Sequence, residues 1–143
     1  MAAGPTVRKI RKNYQNRIRL VIKNYPYQYR DYARMAAEAS LDARDQGKYW
    51  EMHDILIARS PKLDRDSLIS YARELKLDVG AFTEALDKRR HDREIDRDIA
   101  LAKSLDLYNT PTFFINGRKV VGERSFDYFK PIIDEALNRS VRN

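Results

Sequence analysis

The sequence predicts an α/β domain in which one strand and a later β-hairpin are separated by a long run of helices. Three observations lead to this prediction. Residues 17–24 (RIRLVIKN) contain an apolar run typical of a strand, residues 29–105 show helical periodicity, and residues 112–121 have the pattern of a hairpin. No repeat or linker divides the chain. We therefore expect residues 1–143 to form a single domain, with a helical insertion at about 29–105.

Helices are predicted at both ends of the chain. The first covers residues 5 to about 15, with Pro5 in a position suited to a first helical turn. Its residues at helical spacing are Val7, Ile10 and Tyr14. Ser125 is expected to cap the last helix, whose apolar side chains form a single stripe. The stripe consists of Phe126, Phe129, Ile133, Ala136 and Leu137.

The insertion is predicted to contain five helices with apolar residues at a spacing of three or four. They are residues 29–46, residues 49–58, a helix opened by Asp64 or Asp66, a helix opened by Asp78, and residues 90–103. Aspartate is favoured at a helix start because its carboxylate accepts a backbone N–H that the helix leaves unpaired. The first of the five is rich in alanine, which lets a neighbouring helix approach closely.

Two segments are predicted as β-structure. The centre of residues 17–24 is apolar on both faces, as a strand covered on both sides requires. Residues 112–121 form the hairpin, because Asn116 and Gly117 readily adopt the positive φ values of a type I′ turn. Pro111 has no backbone N–H, and just ahead of the hairpin it does not interrupt the ladder.

Positive charge is concentrated at the start of the chain. Of the net charge of +7, residues 1–30 contribute eight basic side chains and no acidic one. The other 113 residues hold 20 basic and 21 acidic groups. Such a patch could bind phosphate or acidic lipid. It is also compatible with an ordinary solvated helix face, or with one end of a longer protein whose other residues balance the charge.

Several chemistries are excluded by composition and motif. The chain has no cysteine, so it has no disulfide, no thiolate nucleophile and no cysteine-ligated zinc or iron–sulfur site. It also lacks the G-x-S-x-G elbow and the glycine-rich phosphate loops. We therefore predict no catalytic residue, no cofactor site and no metal site.

The two histidines, His53 and His91, are each followed by an aspartate. Adjacent side chains on a helix point about 100° apart, so these pairs are not preformed catalytic or metal-binding pairs. We expect His53 to pack beside Trp50. We expect His91 to lie on a solvated, highly charged helix face.

Tyrosines alternate with other residues near the start of the insertion. Tyr25, Tyr27, Tyr29 and Tyr32 interleave with arginines. Two interpretations are open: such rings can stack on single-stranded bases, or they can cover the edge of a core with their hydroxyls in water.

Four segments together resemble one family. They are residues 19–26 (RLVIKNYP), 36–39 (AAEA), 46–56 (QGKYWEMHDIL) and 109–117 (NTPTFFING). In this order and spacing they are similar to the DsbA-like thiol:disulfide oxidoreductases of the thioredoxin superfamily. The resemblance covers nearly the whole chain. It implies a thioredoxin-like sheet, here incomplete because the first strand is missing, with a large helical insertion.

The resemblance also implies a site. In this family a Cys-x-x-Cys motif lies at a helix N-terminus, whose partial positive charge lowers the pKa of the nucleophilic thiol. Opposite it, a cis-proline loop presents backbone groups to an extended substrate segment. That loop corresponds here to Thr110 and Pro111, with Tyr25 or Tyr27 expected nearby.

The sequence departs from the family where the cysteines belong. By resemblance, the second cysteine would fall at or just before Met1, so the preceding strand would be missing with it. The chain as given is then expected to be redox-inactive, although its parent would catalyse thiol–disulfide exchange. The missing strand would leave edges at residues 18–24 and 112–115. We expect strand exchange, a dimer at that position, or closure of the two segments on each other.

Three functional hypotheses follow. The first is a redox-inactive DsbA-like domain of a disulfide-exchanging parent, and the second is a peptide-binding module that uses the loop at Thr110 and Pro111. The third, ranked last, is binding of nucleic acid or a membrane surface through residues 8–30. The compartment of the chain stays open, whereas the resemblance implies a periplasmic or cell-envelope location for the parent.

Overall fold

The computed structural model describes residues 3–141, and the contacts between residues divide the chain into two units. We call them the sheet unit (Met1–Ile22 and Asp106–Asn143) and the helical unit (Lys23–Leu105). None of the helices in the described part of the chain is long and apolar enough to cross a bilayer. The single-domain organisation, with its insertion at about 29–105, stays a prediction.

Seven helices and two strands occur within residues 3–141. In chain order they are α1 (Ala3–Asn13), α2 (Ala33–Asp45), α3 (Tyr49–Arg59), α4 (Arg65–Glu74), α5 (Val79–Asp87), α6 (Asp92–Ser104), β1 (Thr112–Ile115), β2 (Arg118–Val121) and α7 (Phe126–Val141). The helix predicted to begin at residue 29 begins at Ala33, because Tyr32 has a left-handed φ of 62°.

The sheet unit is built from α1, the hairpin and α7. Its core consists of Ile10, Tyr14, Val120, Phe129, Ile132 and Ile133. The rings of Phe113 and Phe129 meet edge to face with their centroids 4.8 Å apart, which joins β1 to α7. The buried Tyr14 hydroxyl donates a hydrogen bond of 2.7 Å to Asp134, so α1 and α7 are joined by a polar contact as well.

The hairpin is confirmed. Strands β1 and β2 are antiparallel, with Thr112 opposite Val121 and Ile115 opposite Arg118. Asn116 and Gly117 form the two-residue turn, with φ values of 45° and 88°. Positive φ at both central positions matches the right-handed twist of the strands, which is why this dipeptide is favoured there.

The helical unit packs α3, α4, α5 and α6 around α2. Its core consists of Ala39, Ala43, Met52, Leu68, Tyr71, Ala72, Leu77, Phe82 and Leu86. Ala39 and Ala43 are completely buried, as expected for small residues where helices approach closely. The predicted caps are confirmed: Asp64, rather than Asp66, accepts the backbone N–H of Ser67 at 3.0 Å, and Asp78 accepts that of Ala81 at 2.9 Å.

The strand predicted at residues 17–24 is wrong, because this segment has no strand pairing in the structure. Its side chains alternate in exposure: Ile18, Leu20 and Ile22 are half-buried, whereas Val21 is 55% exposed. A strand needs a neighbouring strand to complete its hydrogen bonds. In residues 3–141 the only sheet contains β1 and β2, so the segment stays unpaired and does not close onto β1 as one of our expectations had it.

Candidate functional site

The loop before β1 is held on both sides of Pro111. The carbonyl of Pro111 accepts a hydrogen bond of 2.8 Å from the backbone N–H of Gly122, and the hydroxyl of Thr112 donates one of 2.7 Å to the carbonyl of Asn109. The Thr110–Pro111 peptide bond is cis, the isomer that the resemblance implies. Thr110 is exposed, whereas Pro111 is half-buried. The carbonyl of Pro111 is thus already used inside the hairpin.

The register of the hairpin determines which backbone N–H and C=O groups lie on the outer side of β1, away from β2. Because Pro111 and Gly122 are hydrogen-bonded opposite each other, the backbone groups of the next residue must point away from β2. The alternation places the N–H and C=O groups of Thr112 and Phe114 on the outer side of β1. Within residues 3–141 no strand pairs with that side. The Phe114 side chain is itself 50% exposed.

The predicted site residues lie in different units. Thr110 and Pro111 belong to the sheet unit, whereas Tyr25 and Tyr27 belong to the helical unit. Tyr25 and Tyr27 are half-buried, with centroids 5.8 Å apart in an edge-on arrangement. Tyr27 in turn stacks on Tyr29 at 5.1 Å, and Tyr29 is 76% exposed. A joint role for the loop and the tyrosines stays a prediction.

The helical unit contains a buried acidic pair that sequence reasoning missed. Glu38 and Asp42 are one turn apart on α2, with 1% and 2% of their surfaces exposed. Glu38 accepts the backbone N–H of His91 at 3.0 Å. Both carboxylate oxygens of Asp42 and one of Glu38 lack a hydrogen-bond partner. The sequence contains one sign of this pair, because the two acids interrupt an alanine-rich segment in residues 36–43.

Burial perturbs the protonation of this pair. The pKa of Asp42 is raised to about 7, mainly by desolvation and in addition by the neighbouring charges of Glu38 and Asp45. Desolvation also raises the pKa of Glu38, although the hydrogen bond from the His91 backbone opposes this effect. The pair therefore holds protons more tightly than exposed carboxyls do.

The expectation for His91 is wrong. Its side chain is only 11% exposed, and its Nε2 atom lies 2.9 Å from Asp45 and 3.5 Å from Asp42. Sequence reasoning placed it on a solvated face because its neighbours along the chain are charged. Its partners on α2, Asp45 and Asp42, precede it in the chain by 46 and 49 positions. The pattern of charges among neighbouring residues does not reveal such distant contacts.

His53 packs as predicted, with its ring centroid 5.4 Å from that of Trp50. Its Nδ1 atom lies 3.6 Å from Asp54, beyond normal hydrogen-bond length. In the part of the chain that the structure describes, no group of three or more His, Cys, Asp or Glu side chains is arranged to hold a metal ion.

Comparison with known proteins finds one matching family model and several similar proteins. A family model described as "DSBA-like thioredoxin domain" matches residues 4–134. Among curated proteins, the chain is 41% identical to "Na(+)/H(+) antiporter NhaA 3" of Salinispora tropica over 97% of this chain and 20% of that protein. It is 38% identical to "Na(+)/H(+) antiporter NhaA 1" of Salinispora arenicola over 94% of this chain and 21% of that protein. The chain thus spans about a fifth of the length of these relatives.

Solved structures show the same fold. A thioredoxin-like oxidoreductase from Silicibacter pomeroyi has a TM-score of 0.79 at 24% identity, covering 99% of this chain and 80% of that one. The thiol-disulfide exchange protein α-DsbA2 from Wolbachia pipientis has a TM-score of 0.83 at 17% identity, covering 94% and 73%. The thioredoxin-like fold with a helical insertion is therefore confirmed, with two sheet strands in the described residues.

Proposed function

Because the chain belongs to the DSBA-like thioredoxin domain family, we propose that it binds extended polypeptide segments along the outer side of β1, next to the Thr110–Pro111 loop. Disulfide exchange in protein substrates is the activity that the resemblance implies for the family. These 143 residues contain no cysteine, so they supply no thiolate for that reaction. Binding without exchange is the function that these residues support.

The outer side of β1 is the observation that carries the proposal. An extended peptide can add to a sheet edge as a new strand, and its main-chain hydrogen bonds do not depend on its sequence. Thr112 and Phe114 each offer one N–H and one C=O to such a strand. The exposed Phe114 ring lies beside them and offers an apolar contact.

The loop contributes rigidity rather than hydrogen bonds from Pro111. Since the Pro111 carbonyl bonds to Gly122, a peptide would form its first bonds at Thr112. The bond from the Thr112 hydroxyl to Asn109 holds the start of β1 in place before a peptide arrives. A preformed edge lowers the ordering entropy that binding must overcome.

Binding can be tested with a polypeptide that cannot fold, such as a reduced and carboxymethylated protein carrying a fluorescent label. Phe114→Pro removes the outward N–H of Phe114 without removing a β1–β2 hydrogen bond, a position at which proline is tolerated. Losing one hydrogen bond of about 1 kcal/mol weakens binding about fivefold, measured by fluorescence anisotropy. Far-ultraviolet circular dichroism checks that the variant is folded.

Phe114→Ala is the matched variant, because it removes the ring and keeps the N–H. The proposal requires the proline variant to bind more weakly than the alanine variant. Equal affinities of the two variants would show that the ring, and not the edge, makes the contact. No binding by the unmodified chain would reject the proposal outright.

The same edge is open to β1 of a second copy, so self-pairing competes with peptide binding. We propose that sedimentation velocity will show concentration-dependent association that the Phe114→Pro substitution weakens. In a disulfide-exchange assay on a reduced protein substrate, the chain is expected to match the buffer control. Exchange above that control would contradict the redox-inactive assignment.

A further inference from the structure

The net charge of the protein belongs entirely to one unit. The sheet unit contains twelve basic and five acidic residues, which gives +7, whereas the helical unit contains sixteen of each. Ion pairs such as that of Lys130 with Asp134 on α7, at 2.7 Å, leave this excess unchanged, because each pair uses one charge of either sign. The sheet unit therefore has a strong positive field around it.

Helix α1 concentrates this charge on its outer side. It contains no acidic residue, and its apolar side chains, with those of the turn that follows, are buried against the core: Val7, Ile10 and Tyr14. With 100° between successive residues, the cations fall on the opposite side of the helix. We define the basic face as five exposed residues of α1 and the segment after it: Arg8, Lys9, Lys12, Arg17 and Arg19.

Two aromatic rings next to this face are covered by its own cations. The ammonium group of Lys9 lies 4.6 Å from the Phe126 ring centroid, and the Arg17 guanidinium lies 5.8 Å from that of Tyr14. Single-stranded nucleic acids bind largely by stacking their bases on open aromatic faces. The geometry of the basic face therefore disfavours that partner.

One side of helix α1 is occupied by the protein itself. It packs against α7, and its apolar residues Val7 and Ile10 are buried. The other side presents the cations of the basic face. Clusters of four to eight basic residues are the pattern that anionic lipid surfaces attract.

We propose that the basic face binds the sheet unit peripherally to a bilayer that contains anionic lipids. The contact is electrostatic, since Val7 and Ile10 of α1 stay buried in the protein. It is independent of the peptide-binding edge of β1. It therefore predicts that Phe114→Pro leaves lipid binding unchanged.

Co-sedimentation with vesicles tests this proposal. The full chain is expected to pellet with vesicles of phosphatidylcholine and phosphatidylglycerol in equal parts, but not with phosphatidylcholine alone, and to be released by added salt. The double variant Lys12→Glu with Arg19→Glu is expected to bind at least about tenfold more weakly. The control is Lys62→Glu with Arg73→Glu, which makes the same charge change at exposed positions of the helical unit.

The control variant should keep at least half of the binding. Equal losses in the two double variants would show attraction to net charge alone and overturn the proposal. So would failure of the unmodified chain to bind the anionic vesicles. Stronger retention by duplex or single-stranded DNA than by the vesicles, in a competition at the same salt concentration, would assign the basic face to nucleic acid instead.

Discussion

The sheet unit has a net charge of +7, whereas the helical unit balances sixteen basic residues with sixteen acidic ones. In the helical unit, several arginine–carboxylate pairs form two hydrogen bonds each. Arg44 binds Glu94 at 2.7 and 2.9 Å, and Arg65 binds Asp87 at 2.7 and 2.8 Å. In the sheet unit, the five residues of the basic face are exposed, and two of them, Lys9 and Arg17, lie over aromatic rings of the same unit.

The contrast extends to the interiors. The core of the sheet unit is apolar apart from the Tyr14 hydroxyl, whereas the helical unit buries the carboxyls of Glu38 and Asp42. A buried carboxyl without a full set of partners reduces stability when it is ionised. The helical unit thus pairs or buries many of its charged groups, whereas the sheet unit has an excess of positive charge.

The largest expected effect tests whether the two cores are separate. Phe129→Ala removes a ring that is 99% buried in the sheet unit and should cost about 3–5 kcal/mol of unfolding free energy. No residue of that core belongs to the core of the helical unit. Amide hydrogen exchange should therefore accelerate at Val120 and Ile132, while Leu68 and Phe82 stay protected. Equal acceleration of amide exchange in both cores would show that they unfold together and would contradict the distinction between the two units.

The next effect concerns the buried acid of the helical unit. Burial raises the pKa of Asp42 from the ordinary 3.8 to about 7. Because the folded state binds this proton more tightly than the unfolded state, the stabilisation is complete below the unfolded value. It is lost as the pH rises towards and through about 7. Asp42→Asn cannot ionise, so it should be no less stable than the unmodified chain at pH 8.

The linkage relation converts a shift of this size into about 4 kcal/mol at most, reached at a pH well above 7. The measurement is urea unfolding of both proteins at several pH values between about 4 and 8. The stability difference should move in favour of Asp42→Asn as the pH rises. Asp66→Asn is the control, since the Asp66 side chain is 94% exposed. A difference that is independent of pH would contradict ionisation of Asp42 in the folded state.

A smaller effect is expected when a basic residue is replaced by glutamate in each of the two units. Arg44→Glu in the helical unit breaks a paired contact and places like charges near Glu94, so it should cost about 1 kcal/mol. Lys12→Glu in the sheet unit removes repulsion from neighbouring cations but also a favourable charge in the last turn of α1, so it should cost less than Arg44→Glu. Thermal unfolding of the two variants at low salt measures both. Equal destabilisation by the two substitutions would mean that these charged residues contribute equally to stability in the two units.

Local patterns predicted much of the fold. The hairpin followed from Asn116 and Gly117, and the helix starts from Asp64 and Asp78, since turns and caps depend on adjacent residues. The unpaired state of residues 17–24 could not be predicted, because pairing depends on a distant strand. The burial of Asp42 was missed for a similar reason: it depends on which helices pack against α2.

The candidate site was predicted in part. Resemblance pointed to Thr110 and Pro111, but the sequence could not show that Gly122 occupies the Pro111 carbonyl. That contact follows from the register of the hairpin, and it moves the hydrogen-bonding positions to Thr112 and Phe114. Tyr25 and Tyr27 were proposed from composition and resemblance, and their role in binding stays a prediction.

The most direct test of the central claim is amide exchange of the full chain, followed by NMR, with and without the carboxymethylated polypeptide. Binding along β1 predicts slower exchange at Thr112 and Phe114, whose N–H groups point outward. The inward N–H of Phe113, already within the hairpin, should change little. Unchanged exchange at Thr112 and Phe114 under conditions where the polypeptide is bound, with slowing at Tyr27 or Tyr29 instead, would contradict the account.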